Sequence, residues 1–270
     1  RAQKGAIYTN TGPIVIAVNP FKKLPLYTAT QIDSYRDNGF LNFTDPESAR
    51  KLPPHIYSLA DAAFRSMIRA LEMESKSPSR DIDSKPKLNQ AVLVSGESGA
   101  GKTVSTKFII EYLVLVGPRA TNPELKHSIN GVDSYVNAVD TVQRRVIESN
   151  PILESFGNAK TLRNDNSSRF GKFIKLGFSS TGELLGGSLE TYLLEKVRLV
   201  SQSSGERNYH IFYEVLAGLS ADARRSIFLN DEQSCYRYIS GGGCFQRNDG
   251  EDDSELHWNM CSSMDAVGFS

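Results

Sequence analysis

Apolar positions along the chain change their period several times, and each change marks an expected element. Ile14-Val15-Ile16-Ala17-Val18 is an unbroken run closed by Asn19-Pro20, which predicts a buried strand ending in a loop. After Pro53-Pro54, the residues Ile56, Leu59, Ala63, Phe64, Met67, Ile68 and Leu71 recur at steps of three and four, so a helix with one core-facing stripe is expected. Residues 75–90 turn polar, with Pro78 and Pro86 among serines and charges, and read as an exposed connector. Ala91-Val92-Leu93-Val94 then predicts a second strand. Val104, Phe108, Ile109, Tyr112, Leu113 and Val116 predict a helix that Gly117-Pro118 should stop. Residues 118–141 read as a surface loop. Phe173 to Phe178, the turn Ser179-Ser180-Thr181-Gly182 and the apolar positions up to Val200 predict hairpin strands, and Glu206 to Leu219 returns to helical spacing. There is no internal repeat, and Glu251-Asp252-Asp253 reads as a solvated loop.

Composition narrows this to an ordinary globular protein. Hydrophobic residues make up 39% and charged residues 23% of the 270, far from the profile of disorder and enough to bury a sizeable core. The 31 basic and 31 acidic side chains cancel, so no overall field draws the chain to nucleic acid or an anionic membrane, and any such contact needs a local patch. No stretch approaches the roughly 20 apolar residues of a membrane span, so no membrane insertion is expected. Arg1-Ala2-Gln3-Lys4-Gly5 opens no secretory signal, which makes the sequons at Asn42 and Asn166 incidental. Cys235, Cys244 and Cys261 form neither a paired framework nor a metal knuckle, so buried, inert thiols in a cytoplasmic protein are expected.

The chemistry concentrates between the second strand and the helix that follows it. Gly96-Glu97-Ser98-Gly99-Ala100-Gly101-Lys102-Thr103 fits GxxxxGK[ST] at every fixed position. Glycines let the backbone approach a phosphate and turn successive N–H groups inward. Lys102 would neutralise β and γ oxygens of a nucleoside triphosphate, Thr103 would offer a hydroxyl to Mg2+, and the helix would direct the positive end of its dipole at the phosphates. Chance produces such a match in about one per cent of chains this long, and the flanking strand and helix lower that further. The loop alone leaves GTPases, metabolic kinases, transporters and motors open. No Asn-Lys-x-Asp string reads guanine, Ser240-Gly241-Gly242-Gly243 is better read as a turn than as a transporter signature, and no apolar run ending in Asp follows as a second magnesium anchor.

A second dense polar run, Asn158-Ala159-Lys160-Thr161-Leu162-Arg163-Asn164-Asp165-Asn166-Ser167-Ser168-Arg169-Phe170-Gly171-Lys172-Phe173, resembles switch I of the myosin motor family, and the phosphate loop is spelled as that family spells it. The likeness extends over nearly the whole chain. Thr11 to Tyr27 resembles the adenine-side strand and loop, and Asn150 to Gly157 the helix leading into switch I. Tyr192 to Arg198 and Gly205 to Tyr213 resemble the strand and helix of the upper actin-side subdomain. Kinesins spell the loop and the switch differently and fit less well.

The resemblance implies an α/β fold, a P-loop NTPase of the myosin/kinesin type with a central mixed β-sheet flanked by helices, truncated before switch II. It implies a motor subdomain over 1–117 with adenine loop and P-loop, a surface loop over 118–141, and the start of the upper actin-side subdomain over 142–270. Asn19, Pro20, Lys22 and Tyr27 would border the adenine. The loop residues Gly96, Glu97, Ser98, Gly99, Ala100, Gly101, Lys102 and Thr103 would hold ATP, with Ser98 and Asn164 adding polar contacts. Thr103 and Ser168 would bind Mg2+, Ser167 would sit beside the γ-phosphate in the path of proton transfer from the attacking water, and Arg169 would pair with a switch II glutamate.

Departures accompany the match. No Asp-Ile-x-Gly-Phe-Glu string is present, so switch II and most of the actin-binding face are expected beyond Ser270, and residues before Arg1 are expected to be missing. The connector at 75–90 is longer than the family's, and Val104 replaces a frequent glutamate. His210 reads as a packed core histidine, His55, His127 and His257 lack metal-ligand spacing, and Trp258 reads as structural or surface. The expected function is that of a cytoplasmic, cytoskeleton-associated Mg-ATPase that moves on actin filaments. The alternative is a fragment or degenerate relative that binds nucleotide without turnover, and a metabolic P-loop kinase stands third because it leaves the switch unexplained.

Overall fold

The computed structural model describes residues 5–76, 88–120, 141–230 and 232–269. Most of the expected connector at 75–90 and loop at 118–141 lie outside the described residues, as do His127 and the first four residues. Contacts group the chain into two compact units, one of Arg1–Gln143 with Leu176–Gly186 and one of Arg144–Lys175 with Gly187–Ser270.

In the first unit, β1 (Tyr8–Thr11) pairs antiparallel with β2 (Ile14–Ala17), Tyr8 opposite Ala17 and Thr11 opposite Ile14. Helix α1 (Ala29–Thr44) starts where the Thr28 hydroxyl accepts from Gln31 N–H. Helices α2 (Ile56–Lys76) and α3 (Lys102–Ala120) complete the unit. Their shared core is Ile32 and Tyr35 from α1, Ile56, Tyr57, Ala60 and Phe64 from α2, Ile109, Tyr112 and Val116 from α3, and Ile7 and Tyr8 ahead of them. Of the expected stripe on α2, Ile56, Phe64, Met67 and Ile68 reach this core, with Tyr57 and Ala60 beside them. At the α1 to α2 crossing, a Cβ on Gly39 would lie 1.8 Å from Asp61 Oδ2, so glycine is what lets the buried carboxylate sit there. Asp61 accepts from the Tyr112 hydroxyl at 2.9 Å, and burial raises its pKa against the pull of Arg65.

Several expectations are corrected here. The run at Ile14 is a strand but not a buried one: Ile14, Ile16 and Val18 are exposed, because a two-stranded ribbon has two faces and the helices cover one, the side of Val15. Residues 91–94 join no strand ladder among the described residues, and Leu93 is 92% exposed. Apolar periodicity reports side chains, whereas a strand also needs a hydrogen-bonding neighbour. Nor is a central mixed sheet formed by the described residues, which carry three separate two-stranded sheets. Helix α3 is not stopped at Gly117-Pro118 and continues through Ala120, where the described residues of this stretch end.

The second unit begins within α4 (Thr141–Gly157), which contains Pro151. Two short strands, β3 (Asn158–Ala159) and β4 (Ser167–Ser168), pair antiparallel and bracket the polar loop between them. The hairpin of β5 (Gly171–Phe178) and β6 (Leu184–Tyr192) turns where Ser179 N–H bonds Glu183 C=O, and its tip belongs to the first unit, where Phe178 meets Phe64 edge-on. The apolar positions after Tyr192 are not strand: Lys196–Leu199 is a turn of 3-10 helix. Helix α5 (His210–Gly218) begins four residues later than expected, because the residues from Glu206 to Tyr209 are held by side-chain bonds instead.

Short helices α6 (Ala221–Ser226) and α7 (Arg237–Ser240) lead to α8 (Asp253–Val267), which packs on α5. That contact needs Gly218, whose Cβ would sit 2.4 Å from the His257 ring. The acidic run is a solvated loop only in part: Glu251 and Asp252 are exposed, but Asp253 is half-buried and starts a helix. Asp252 caps α8 by accepting from Ser254 N–H, and Asp253 pairs with the fully buried Arg207 at 2.9 Å. The glycine turn at 240–243 is present and tightly packed, since a Cβ on Gly242 would meet Glu206 C=O at 2.0 Å. The three cysteines are unpaired but not buried, with Cys235 exposed on a surface turn and the others half-buried. Trp258 is exposed on α8. Among the described residues no helix is long and apolar enough to cross a membrane.

His55 lies at the centre of the first unit's aromatic cluster, edge-on to Tyr8 and stacked near Tyr35, and its Nδ1 accepts from Tyr57 N–H. Burial pushes its pKa down to about 4. A depressed folded pKa means that acid favours the unfolded chain, so stability is full above pH 6.5 and falls as pH drops toward 4. Below that pH the loss from this side chain reaches about 3 kcal/mol. Urea denaturation as a function of pH should show His55→Leu flattening that part of the wild-type curve.

Candidate functional site

In the first unit, the phosphate loop and the loop after β2 touch. Gly99 and Gly101 have φ of 77° and 91°, in the left-handed region open to glycine, and α3 starts immediately afterwards at Lys102. The helix ladder opens with Ser105 N–H on Gly101 C=O at 2.9 Å, so the amides of the preceding turn lie at the helix N-terminus. Gly96 sits so close to Ala100 that a Cβ would meet the alanine methyl at 3.1 Å. Lys102 folds over the loop, its Nζ donating to Gly96 C=O at 2.7 Å and Glu97 C=O at 2.8 Å. A cation above a curl of backbone at a helix N-terminus is a donor set that suits a polyphosphate.

Asn19 joins this loop to the expected adenine side. Its Nδ2 donates to Gly99 C=O at 2.7 Å while its Oδ1 accepts from Phe21 N–H at 2.9 Å, fixing the turn in which Phe21 adopts a φ of 50°. Pro20 is half-buried beside it, and Lys22 is exposed. Tyr27 stacks on Phe108 of α3, with centroids 3.6 Å apart and planes 9° off parallel, and shares a hydrogen bond with the Tyr8 hydroxyl. Glu97 and Ser98 are exposed, whereas Ala100 and Thr103 are half-buried.

In the second unit, the polar loop closes on itself. The Asn164 amide donates to Asn166 C=O and its Oδ1 accepts from Asn166 N–H, so this side chain shapes the loop. Asn166 in turn donates to Glu154 and accepts from Asn158, and its Oδ1 lies 3.3 Å from His210 Nε2. His210 is buried, and that burial, helped by the nearby charges of Arg247 and Arg207, keeps it neutral as a core histidine should be. Lys160 bonds Gln246 C=O and Asp165 accepts from Asn248 N–H, which ties the loop to residues 246–248.

Ser167 is buried and accepts from Arg169 NH1 at 3.1 Å, and Ser168 is half-buried next to it. The glutamate that the resemblance assigns to Arg169 has no counterpart in the sequence. In the structure Arg169 Nε bonds Glu195 at 2.6 Å, and the same carboxylate oxygen accepts from Arg198 Nε at 2.7 Å. Burial works against the charge of Glu195, but the two guanidinium groups outweigh it and hold the carboxyl below the usual range. Arg198 goes on to Glu206 and Arg207 C=O. Sequence reasoning missed Asn19's bond to the phosphate loop, Asn166 and Glu195. Their signals were an amide within the adenine-side run and a lone glutamate followed three residues later by arginine, which mean little without the pairing.

All 270 residues match the family model Myosin head (motor domain). The chain belongs to the myosin head family. It is 40% identical to Myosin-VIIa of Drosophila melanogaster over all of its length and 10% of that protein's. It is 42% identical to Myosin-I heavy chain of Dictyostelium discoideum over 96% of the chain and 9% of the relative. Myosin type-2 heavy chain 2 of Schizosaccharomyces pombe is 36% identical over the whole chain and 11% of its own length. The chain thus spans about a tenth of these relatives. Membership of the myosin head family places it in the P-loop NTPase class of fold.

The loop geometry carries its own prediction. A Cβ on Gly101 would meet only Asn19, at 3.9 Å, so Gly101→Ala should cost only the left-handed backbone penalty. That penalty is about 1–2 kcal/mol, read by urea denaturation of the variant against wild type.

Proposed function

We propose that this chain supplies the adenine-side loop, phosphate loop and first switch of a magnesium-dependent ATPase that drives a motor along actin filaments. The observation that supports it most is the bond from Asn19 to Gly99, which joins the two loops expected to grip the two ends of one nucleotide. In this reading Asn19, Pro20, Lys22 and Tyr27 border the adenine. Lys102 and the amides of Gly99 to Thr103 hold the β- and γ-phosphates, with Gly96, Glu97 and Ala100 setting the curve of the loop and Ser98 and Asn164 adding polar contacts. The hydroxyls of Thr103 and Ser168 would hold Mg2+, which when bound offsets negative charge on the phosphate oxygens. Among the described residues no cluster of three or more His, Cys, Asp or Glu side chains offers an alternative metal site.

Hydrolysis then proceeds by in-line attack. Water oxygen bonds to the γ-phosphorus, the bond to the bridging oxygen breaks, and its electron pair leaves on ADP. The water proton passes by way of the Ser167 hydroxyl, which takes it on Oγ and releases its own to a γ-phosphate oxygen. Lys102 and the loop amides stand against the developing charge, the contribution that dominates phosphoryl transfer. The chain is read as an N-terminal motor subdomain over 1–117, a loop over 118–141 and an upper actin-side portion over 142–270, in a cytoplasmic protein of the cytoskeleton that neither binds nucleic acid nor inserts in membranes.

The alternative reading is nucleotide binding without turnover. Actin-stimulated phosphate release separates the two, since a motor shows it and a binding module does not. Lys102→Ala should abolish Mg-ATP binding measured by calorimetry in the full-length protein. An unchanged affinity would remove the phosphate loop from the reading.

A further inference from the structure

Glu195 stands outside every segment to which a nucleotide role has been given, yet it holds the segment with the reactive serine from two sides. Its backbone N–H donates to Arg169 C=O at 3.0 Å, and its carboxylate accepts from Arg169 Nε at 2.6 Å. Its own C=O accepts from the Tyr209 hydroxyl at 2.9 Å, and Tyr209 forms a β-bridge with Ala159, in the strand that pairs with Ser167. Ser167, Arg169, Glu195, Tyr209 and Ala159 therefore close a ring of contacts within one unit.

We infer that Glu195 is a positioning residue for phosphoryl chemistry: by gripping Arg169 it aims that guanidinium at the Ser167 hydroxyl and sets where Oγ stands. This rests on the reading of Ser167 given under Proposed function. The guanidinium is planar, so a bond to Nε fixes the direction of the NH1 donor 3.1 Å from Oγ. The side chains of Arg169 and Glu195 are 27% and 29% exposed, which leaves water able to compete for the guanidinium if the carboxylate is removed. Arg198 holds the other side of the grip. Its side chain is 5% exposed and bonded to Glu206 and Arg207, so it anchors Glu195 to the body of the unit.

A merely structural ion pair and a positioning one differ in what they change. Losing a structural pair lowers stability and weakens every ligand alike. Losing a positioning contact weakens the state in which the γ-phosphorus is in-line with water and spares the ground state. Two probes separate these: Mg-AMP-PNP, a non-hydrolysable ATP analogue, and Mg-ADP-vanadate, which mimics the five-coordinate phosphorus. Glu195→Gln keeps the size and one neutral acceptor and so is expected to fold.

In the full-length protein Glu195→Gln should leave affinity for Mg-AMP-PNP within about threefold of wild type and weaken Mg-ADP-vanadate by about 30- to 100-fold, the scale of a small misplacement at a reacting centre. Arg198→Met should lower the melting temperature and keep the wild-type ratio of the two affinities, because Glu195 still holds Arg169. Equal affinities in Glu195→Gln and wild type, or a parallel loss for both probes, overturns the positioning role and leaves the nucleotide site standing. A wild-type protein that binds neither probe overturns the nucleotide site and the positioning role together.

Discussion

A backbone amide can serve an anion only if the fold keeps it from spending its hydrogen on a neighbouring carbonyl, and the first unit is organised around that constraint. Helix α3 begins at Lys102 and its first ladder bond comes from Ser105; of the amides ahead of that bond, Ala100 N–H closes the loop on Glu97 C=O. What holds that helix end in place is far from it: Ile109, Tyr112 and Val116 sink into the core with α1 and α2, and Tyr112 adds its hydroxyl to the buried Asp61. The helix is thus clamped along its length while its N-terminus stays accessible. Asn19 completes the arrangement by taking Gly99 C=O from outside the loop, which stops the loop from relaxing onto that acceptor.

The second unit solves a different problem, that of keeping a hydroxyl-rich loop in one shape. Charged and amide side chains do this almost entirely. Asn164 and Asn166 bond the loop to itself, Lys160 and Asp165 bond it to residues 246–248, and Arg169 leads through Glu195 and Arg198 to Glu206. Buried ionic groups contribute little net stability against an apolar alternative, but removing one partner from such a set is costly, about 3–5 kcal/mol. A network of this sort therefore confers definition of position more than it confers stability. Burial of Arg207 beneath the Tyr213 ring, with Asp253 at its tip, belongs to the same design.

Local chemistry was legible in the sequence, and pairings were not. The glycine spacing from Gly96 to Lys102 demands a particular backbone, so the loop and the helix after it could be read from residue types alone. The α2 stripe was legible for the same reason, since period and burial are one fact on a helix. Residues 91–94 looked like a strand because they are apolar, but pairing depends on a partner that side-chain pattern does not encode. Glu195 had no reading of its own because its meaning comes from Arg169, 26 residues away. Asp253 failed in the same manner, read as solvent-facing until Arg207 is placed against it. His210 was legible as a core residue because aromatic neighbours flank it in the chain.

The stacked rings of Tyr27 and Phe108 join the loop after β2 to the second turn of α3. In a site that reads a nucleotide from base to terminal phosphate, that contact works as a calliper: it sets one span between the two grips, and a molecule is judged by its reach. Under the proposed reading a monophosphate would engage one jaw at a time, whereas a diphosphate would still span both through its β-phosphate.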